Sequence, residues 1–374
     1  MAANAFELAA PGRIVFGAGS AAQAGPALRA LGAKRVLLVT GRSARRSDTF
    51  RADLKLPTVI CAIPSEPTLD MVREGRALAM GEKCDAVVAF GGGSAVDAGK
   101  AIAALAGNDG DLLDYMEVVG KAQPLPRPGL PCIAIPTTAG TGAEVETASM
   151  ITDPTPAKKA IVHPGMLPRA VIADPELTIS LPARLTAATG MDALSHNLEA
   201  LCVPVFNPMA DAIALAGIVL VARHLPTAVA EPANIEARSG MMTAAIMGAT
   251  SFCKGLGAMH ALSHAIGALH ERHHGLTNAV VMPYVLAFNR PAIEPQLAQI
   301  AAALKLRGEP FAAVHDWIVE LRRHVGIPHN LTGLNLGPGD FPAIARLAAI
   351  DGCASTNPAP LDEAACLSIL KAAA

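Results

Sequence analysis

The sequence predicts an α/β domain, in which a parallel sheet is flanked by helices, followed by an all-α domain. Three observations carry this. Short β-branched runs alternate with segments of helical period between residues 13 and 174, two of those runs end in glycine-rich loops, and strand-like runs almost vanish after residue 184. A chain of 374 residues is long enough for two domains, each with its own core.

In chain order, strands are expected at Arg13–Gly17 and Arg35–Thr40, separated by an Ala- and Leu-rich helical segment. Thr58–Ile63 and Ala86–Phe90 continue the alternation around a helix over Thr68–Met80. These strands are apolar with little alternation, which suits a parallel sheet covered on both faces. Directly after Phe90 comes G-G-G-S-A-V-D-A-G-K, residues 91–100, opening an alanine-rich helix. Gly92 and Gly93 let backbone approach a bulky anion, Ser94 can cap the helix, and the free amides at a helix start attract phosphate. The pattern is neither G-x-G-x-x-G nor a P-loop, so a pyrophosphate cradle and a plain glycine turn both stand. Asp97 and Lys100 either orient this loop or form a solvated surface pair.

The next strand, Cys132–Ile135, runs into P-T-T-A-G-T-G-A-E, residues 136–144. Hydroxyls of Thr137, Thr138 and Thr141 can grip phosphate or ribose oxygens, although threonines also favour turns for their own sake. Two glycine-rich loops after parallel strands place a ligand along the carboxyl edge of the sheet. A hairpin is expected from Thr147–Thr152 and Ala160–Val162, then a buried strand at Ala170–Asp174. The domain boundary is placed near Pro182, giving 1–181 and 182–374. Beyond it helical periodicity is interrupted at Pro204, Pro208, Pro283, Pro291, Pro328, Pro338, Pro342 and Pro358.

The helical half concentrates histidine: Met259–Asn278 holds five of the chain's eleven. His260 and His264 are four apart and share one helix face, as do Asp192 and His196 in G-M-D-A-L-S-H. His274 precedes Gly275, where a tight turn would swing a third imidazole toward the first pair. A lone histidine on an apolar helix is more often a packed core residue. Two separate i, i+4 pairs, containing one Asp and three His, instead repeat the demand of a divalent metal site. His270 and His273 lack such partners and are expected to support or line the site. With the metal candidates in one half and both loops in the other, chemistry is expected in a cleft between domains.

Thirty basic and thirty-two acidic residues give a net charge of −2 with no basic run, which argues against a nucleic-acid partner. The longest uncharged apolar run, Ala212–Ala222, is short for a bilayer, and the start M-A-A-N-A-F-E does not read as a secretion signal, so no membrane association is expected. Seven scattered cysteines, odd in number and without C-x-x-C, fit a reducing cytoplasm.

Taken together, G-G-G-S-A-V-D-A-G-K, P-T-T-A-G-T-G-A-E-V, G-M-D-A-L-S-H-N-L-E-A and H-A-L-S-H-A-I-G…H-H-G-L-T-N-A resemble the iron-containing (group III) alcohol dehydrogenases in order and spacing over essentially the whole chain. The resemblance implies a nucleotide-binding α/β domain and an all-helical metal domain, a two-domain plan shared with dehydroquinate synthase. It also implies one Fe²⁺, or Zn²⁺, held by Asp192, His196, His260 and His274, with His264 beside substrate and nicotinamide. Cofactor contacts would fall on Gly92, Gly93, Ser94, Thr137, Thr138 and Thr141, with Lys158 a further candidate. NAD-preferring members often carry Asp where this chain has Gly41. With Arg42, Arg45 and Arg46 nearby, NAD and NADP both stand, as does a surface arginine cluster. The implied activity is hydride transfer between NAD(P)(H) and a small alcohol or aldehyde, in a homodimer. Rival readings are a maleylacetate reductase-type oxidoreductase, a dehydroquinate synthase-like lyase, and a nucleotide-free metal-storage or metallohydrolase protein. The lyase would need several cations around its substrate, and residues 185–290 offer only Arg223, Arg238, Lys254, Arg272 and Arg290.

Overall fold

A computed structural model describes residues 5–41, 44–116, 123–152 and 158–374, with backbone alone at 44–46 and 158–160. The chain divides into two compact units, one of residues 9–138 with 142–178 and the other of 179–374 with 139–141 and the residues up to Leu8. The sequence-based division at Pro182 was contiguous and did not separate the short 139–141 segment.

In the α/β unit, β1 (Ile14–Phe16), β2 (Val36–Thr40), β3 (Thr58–Ala62), β4 (Ala86–Gly91), β5 (Cys132–Pro136) and β8 (Ala170–Ala173) form a parallel sheet in the order β1-β8-β5-β4-β2-β3. β6 (Ala148–Thr152) and β7 (Lys158–Val162) pair antiparallel beside it. The helices are α1 (Ala24–Ala30), α2 (Ala44–Leu54), α3 (Leu69–Gly81), α4 (Gly93–Ala106) and the short α5 (Leu112–Tyr115). Every residue of β2, β4, β5 and β8 is buried, which is why these strands show no polar alternation. Successive side chains nevertheless go to opposite faces. Leu37, Val39, Val87 and Ala89 pack with Val72 of α3 and Ala98, Ala101 and Ile102 of α4. Val36, Leu38, Val88 and Phe90 pack with Leu28 of α1 and Phe50 and Leu54 of α2.

The chain steps outward from β2 to β3 and then crosses back to place β4 on the other side of β2, with β5 beyond. This reversal between β2 and β4 is a topological switch point, where open α/β sheets bind ligands at strand carboxyl ends. Gly41 follows β2 and Gly92 and Gly93 follow β4 at this point, and the second predicted loop, 136–144, follows the neighbouring β5.

The second unit is helical: α6 (Ala183–Cys202), α7 (Pro208–Ala230), α8 (Ile235–Ser251), α9 (Ala258–His270), α10 (His274–Ala303), α11 (Pro310–His324), α12 (Phe341–Ala349) and α13 (Glu363–Ala372). α7 crosses α6 closely, because a Cβ on Gly217 would sit 2.0 Å from Asn197 Oδ1. Counting between charges understated α7. Asp211 and Arg223 lie inside it, and at 23 residues it is long and apolar enough by length and composition to cross a membrane. One face of it, with Ala214, Ile218, Val221 and Leu225, is buried in the unit.

Pro283 and Pro291 were expected to interrupt helix, yet α10 runs through both and Pro295. At Pro283 a reason is visible. Proline leaves the carbonyl four residues back without its helical donor. That carbonyl, Ala279 O, accepts instead from the buried Arg322 guanidinium at 3.1 Å, and Val280 O accepts from the same nitrogen at 2.7 Å.

Candidate active site

Five side chains meet where α6, α9 and the start of α10 pack. Helical spacing puts Asp192 and His196 on one face of α6 and His260 and His264 on one face of α9. One ligand atom from each of Asp192, His196, His260 and His274 lies within 4.8 Å of the others. Asp192, His196 and His260 are buried, while His274 is partly open. His274 arrives by a different route from the one expected. Gly275 makes no turn; it is the second residue of α10, and a Cβ there would sit 2.4 Å from Ala188 O and 2.8 Å from Asp192 Cβ. The missing side chain lets α10 press onto α6, and the chain reversal falls instead at Glu271, in the left-handed region at φ 53°.

The hydrogen bonds around this cluster leave lone pairs aimed into it. Glu199, one turn beyond His196, accepts the His260 Nδ1 proton at 2.6 Å and the Met259 amide at 2.7 Å. His260 Nε2 is then left unprotonated. Ser263 Oγ donates to His274 O and receives the His274 Nδ1 proton, both at 3.0 Å, so His274 Nε2 is left unprotonated as well. Burial pushes His196 down to about 4, against the pull of Asp192, so it is neutral. Its Nδ1 is buried without a hydrogen-bond partner among the described residues. The Asn278 amide faces Asp192 Oδ1 at 2.9 Å, His274 Nε2 at 3.2 Å and His260 Nε2 at 3.3 Å, two protons among three acceptors. Three neutral imidazoles, one carboxylate and a surplus of lone pairs suit a divalent ion such as Fe²⁺ or Zn²⁺.

His264 stands apart from that group, its ring stacked on His274 with centroids 5.3 Å apart. Its Nδ1 donates to Asp351 Oδ2 at 3.0 Å, which leaves Nε2 as the acceptor. Asp351 caps a 3₁₀ turn, Gly352–Thr356, where its Oδ1 takes the Cys353 amide at 2.9 Å. The same strand of chain fastens to α9. Thr356 Oγ1 donates to Leu256 O at 2.6 Å, and Asn357 Oδ1 accepts from the Ala258 amide at 3.0 Å. The α9 N-cap, Gly257, has no side chain; Asn357 and Glu199 cap the helix in its place, and a Cβ there would meet both. Sequence reading missed Glu199 and Asp351. Glu199 lies in the quoted G-M-D-A-L-S-H-N-L-E-A motif, a signal that could have found it, whereas Asp351 is 87 residues from His264.

At the strand ends of the α/β unit the two loops touch. Thr137 donates its amide to Gly91 O at 2.8 Å, and a Cβ on Gly92 would lie 3.3 Å from Thr138 Cγ2. Gly93 and Ser94 begin α4, whose first amides are open to an anion. Thr141 falls in the 139–141 segment of the other unit, where Gly140 packs against Thr189. Lys100 is no surface residue. Its ammonium is buried and holds Ala143 O at 2.6 Å, Glu146 O at 3.3 Å and Ala148 O, with Asp97 Oδ1 3.7 Å away. Asp97 is itself buried, so this pair braces the threonine loop against α4 and corrects the solvated reading.

A family model described as iron-containing alcohol dehydrogenase matches residues 11–175, and the C-terminal model of the same family matches 186–374. The chain belongs to the iron-containing alcohol dehydrogenase family. Within it, the chain is 39% identical over 345 residues to a 4-hydroxybutyrate dehydrogenase from Cupriavidus necator, covering 88% of this chain and 89% of that one. An NAD-dependent methanol dehydrogenase from Bacillus methanolicus is 36% identical, covering 93% and 94% of the two chains. The crystal structure of a 1,3-propanediol oxidoreductase superposes with a TM-score of 0.95 at 35% identity, over 99% of this chain and 100% of that one. A maleylacetate reductase from Agrobacterium tumefaciens also shares the fold, with a TM-score of 0.81 at 27% identity over 99% and 98%.

Several expected residues of this family member are not part of the four-residue cluster. His273 caps α10 through its ring nitrogen, and His270 Nε2 is 3.9 Å from Asp340. The side chains of Lys158, Arg45 and Arg46, and all of Arg42, lie outside the described residues. Gly41 is described, and a Cβ there would meet nothing within 4 Å. The cations that a lyase substrate would need are largely engaged. Arg238 is buried against Thr186 Oγ1 and Pro232 O, Lys254 pairs with Asp211, and Arg290 lies 4.5 Å over the Phe311 ring.

Proposed function

We propose that this member of the family is a metal-dependent, NAD(P)-linked dehydrogenase acting on a small alcohol or aldehyde. The observation that carries the reading is the convergence of Asp192, His196, His260 and His274, with hydrogen bonds that leave imidazole lone pairs facing one another. Asp192 Oδ1 and one nitrogen from each histidine would hold a single Fe²⁺ or Zn²⁺. Bound there, the ion supplies Lewis-acid chemistry to a hydroxyl or carbonyl oxygen, and the nicotinamide supplies or accepts the hydride.

The chain's own residues do the rest. Glu199 orients His260, and Ser263 orients His274, so neither ring must be turned before binding. Gly92, Gly93 and Ser94 offer backbone amides to a pyrophosphate, while Thr137 and Thr138 offer hydroxyls beside it. In the oxidative direction the substrate hydroxyl loses a proton, and His264 Nε2 is the acceptor that passes it toward solvent. Asp351 holds that ring in the required tautomer and stabilises the charge it gains.

The test is a spectrophotometric screen of short alcohols and aldehydes with NAD(H) and NADP(H), on protein of measured metal content. Turnover that follows metal content supports the reading. Metal-replete protein inert with both nicotinamides defeats it, and activity that survives exhaustive chelation favours the maleylacetate reductase-type alternative.

A further inference from the structure

We infer that His264, Asp351 and Cys353 form a second, inhibitory site for a thiophilic divalent cation, Zn²⁺ above all, next to the four-residue cluster. One nitrogen of His264, one carboxylate oxygen of Asp351 and Sγ of Cys353 all lie within 4.8 Å of one another. The three side chains are partly exposed, so an ion reaches them from solvent. They are also held in place. Asp351 is fixed by the Cys353 amide and by His264, and the turn that carries it is tied to Leu256 O and to the start of α9. Sulfur, nitrogen and oxygen donors with a fourth position open match zinc and disfavour Mg²⁺, which takes oxygen ligands in octahedral geometry.

Binding replaces protons in a balanced way. The Cys353 thiol releases its proton to solvent as the zinc–sulfur bond forms. The His264 proton leaves Nδ1, which becomes the ligand, and a proton is taken up at Nε2, so the ring stays neutral. Thiolate and carboxylate cancel the charge of the ion, so the filled site is neutral where Asp351 alone had carried one negative charge, and the two sites can fill together. Inhibition follows from the tautomer. With Nε2 protonated and Nδ1 on zinc, His264 has no lone pair left to accept the substrate proton. This consequence rests on the role given to His264 above, whereas binding itself does not.

The test uses the full chain with its first site already saturated. Zinc is added and bound metal per chain is measured after gel filtration; in parallel, Co²⁺ is substituted and the near-ultraviolet spectrum recorded. The four-residue cluster contains no sulfur, so a thiolate-to-cobalt charge-transfer band reports the second site. Two zinc per wild-type chain and one per Cys353→Ser chain are expected, with the band in the wild type only. The second equivalent should lower wild-type turnover at least tenfold relative to the same protein without it, and leave the ratio for Cys353→Ser near one. A single zinc with no band, or a band that persists in Cys353→Ser, overturns the site, and a second equivalent that leaves turnover intact overturns its inhibitory action. If neither protein turns over at all, the dehydrogenase reading fails while stoichiometry and spectrum still decide the site.

Discussion

Glu199 Oε2 and His260 Nδ1 lie 2.6 Å apart, both almost wholly buried, with the other carboxylate oxygen on the Met259 amide. One side chain of α6 therefore sets the tautomer of a candidate ligand on α9 and caps the helix that carries it. Glu199→Gln keeps an oxygen for the Met259 amide but turns an NH₂ toward Nδ1, which favours the proton on Nε2. Metal affinity is expected to fall about 10–100-fold, measured by competition with a chromophoric chelator, while the helical circular dichroism stays unchanged.

The two histidines of α9 should separate cleanly. His260→Ala is expected to lose the metal. His264→Asn should retain near-normal metal and lower kcat by about 10²–10⁴-fold, the usual range for a positioned acid–base group. Asp351→Asn should lie between, with kcat lowered about tenfold or more and metal content intact. Equal metal loss in His260→Ala and His264→Asn, by elemental analysis, would refute this division of roles.

Gly275→Ala tests the packing that delivers His274. The added methyl would meet the Ala188 carbonyl at 2.4 Å, and backbone cannot step aside as a flexible side chain can. A loss of roughly 1–3 kcal/mol is expected from overpacking, read as a lower urea midpoint, together with weaker metal retention as α10 moves off α6.

Gly41 is open ground at the end of β2, so Gly41→Asp should fold normally. A carboxylate there accepts a ribose hydroxyl and repels a 2′-phosphate. The ratio of kcat/KM for NADH over NADPH is expected to rise at least tenfold; an unchanged ratio would place the adenosine ribose elsewhere.

Stability should carry a signature of Glu144. Burial pushes its carboxyl up to about 7, from an ordinary 4.5. A carboxyl with its folded pKa above its unfolded one favours the folded state while protonated. That contribution is present below about pH 4.5, declines as pH rises through 7, and is gone above it. Glu144→Gln should therefore gain stability relative to wild type between about pH 5 and 8, by an amount on the order of 2–3 kcal/mol at the upper end, in urea titrations at each pH.

What the linear sequence determined by itself are the features set by short-range periodicity. Unalternating apolar runs marked β2, β4, β5 and β8 because a strand buried on both faces has no solvent side to mark. The two i, i+4 pairs marked faces of α6 and α9 because 3.6 residues per turn leave no other arrangement. Tertiary structure alone decided what depends on contacts between distant segments. It chose α10 packing on α6, through Gly275, as the way His274 arrives, and it carried α10 past Pro283 with Arg322 supplying the missing donor. It buried Lys100 under three carbonyls and set Asp351 against a histidine 87 residues earlier in the chain. A side chain's periodicity says which way it points, but its hydrogen-bond partner is chosen only when the helices pack, and that choice leaves Nε2 of His260, His264 and His274 without a proton.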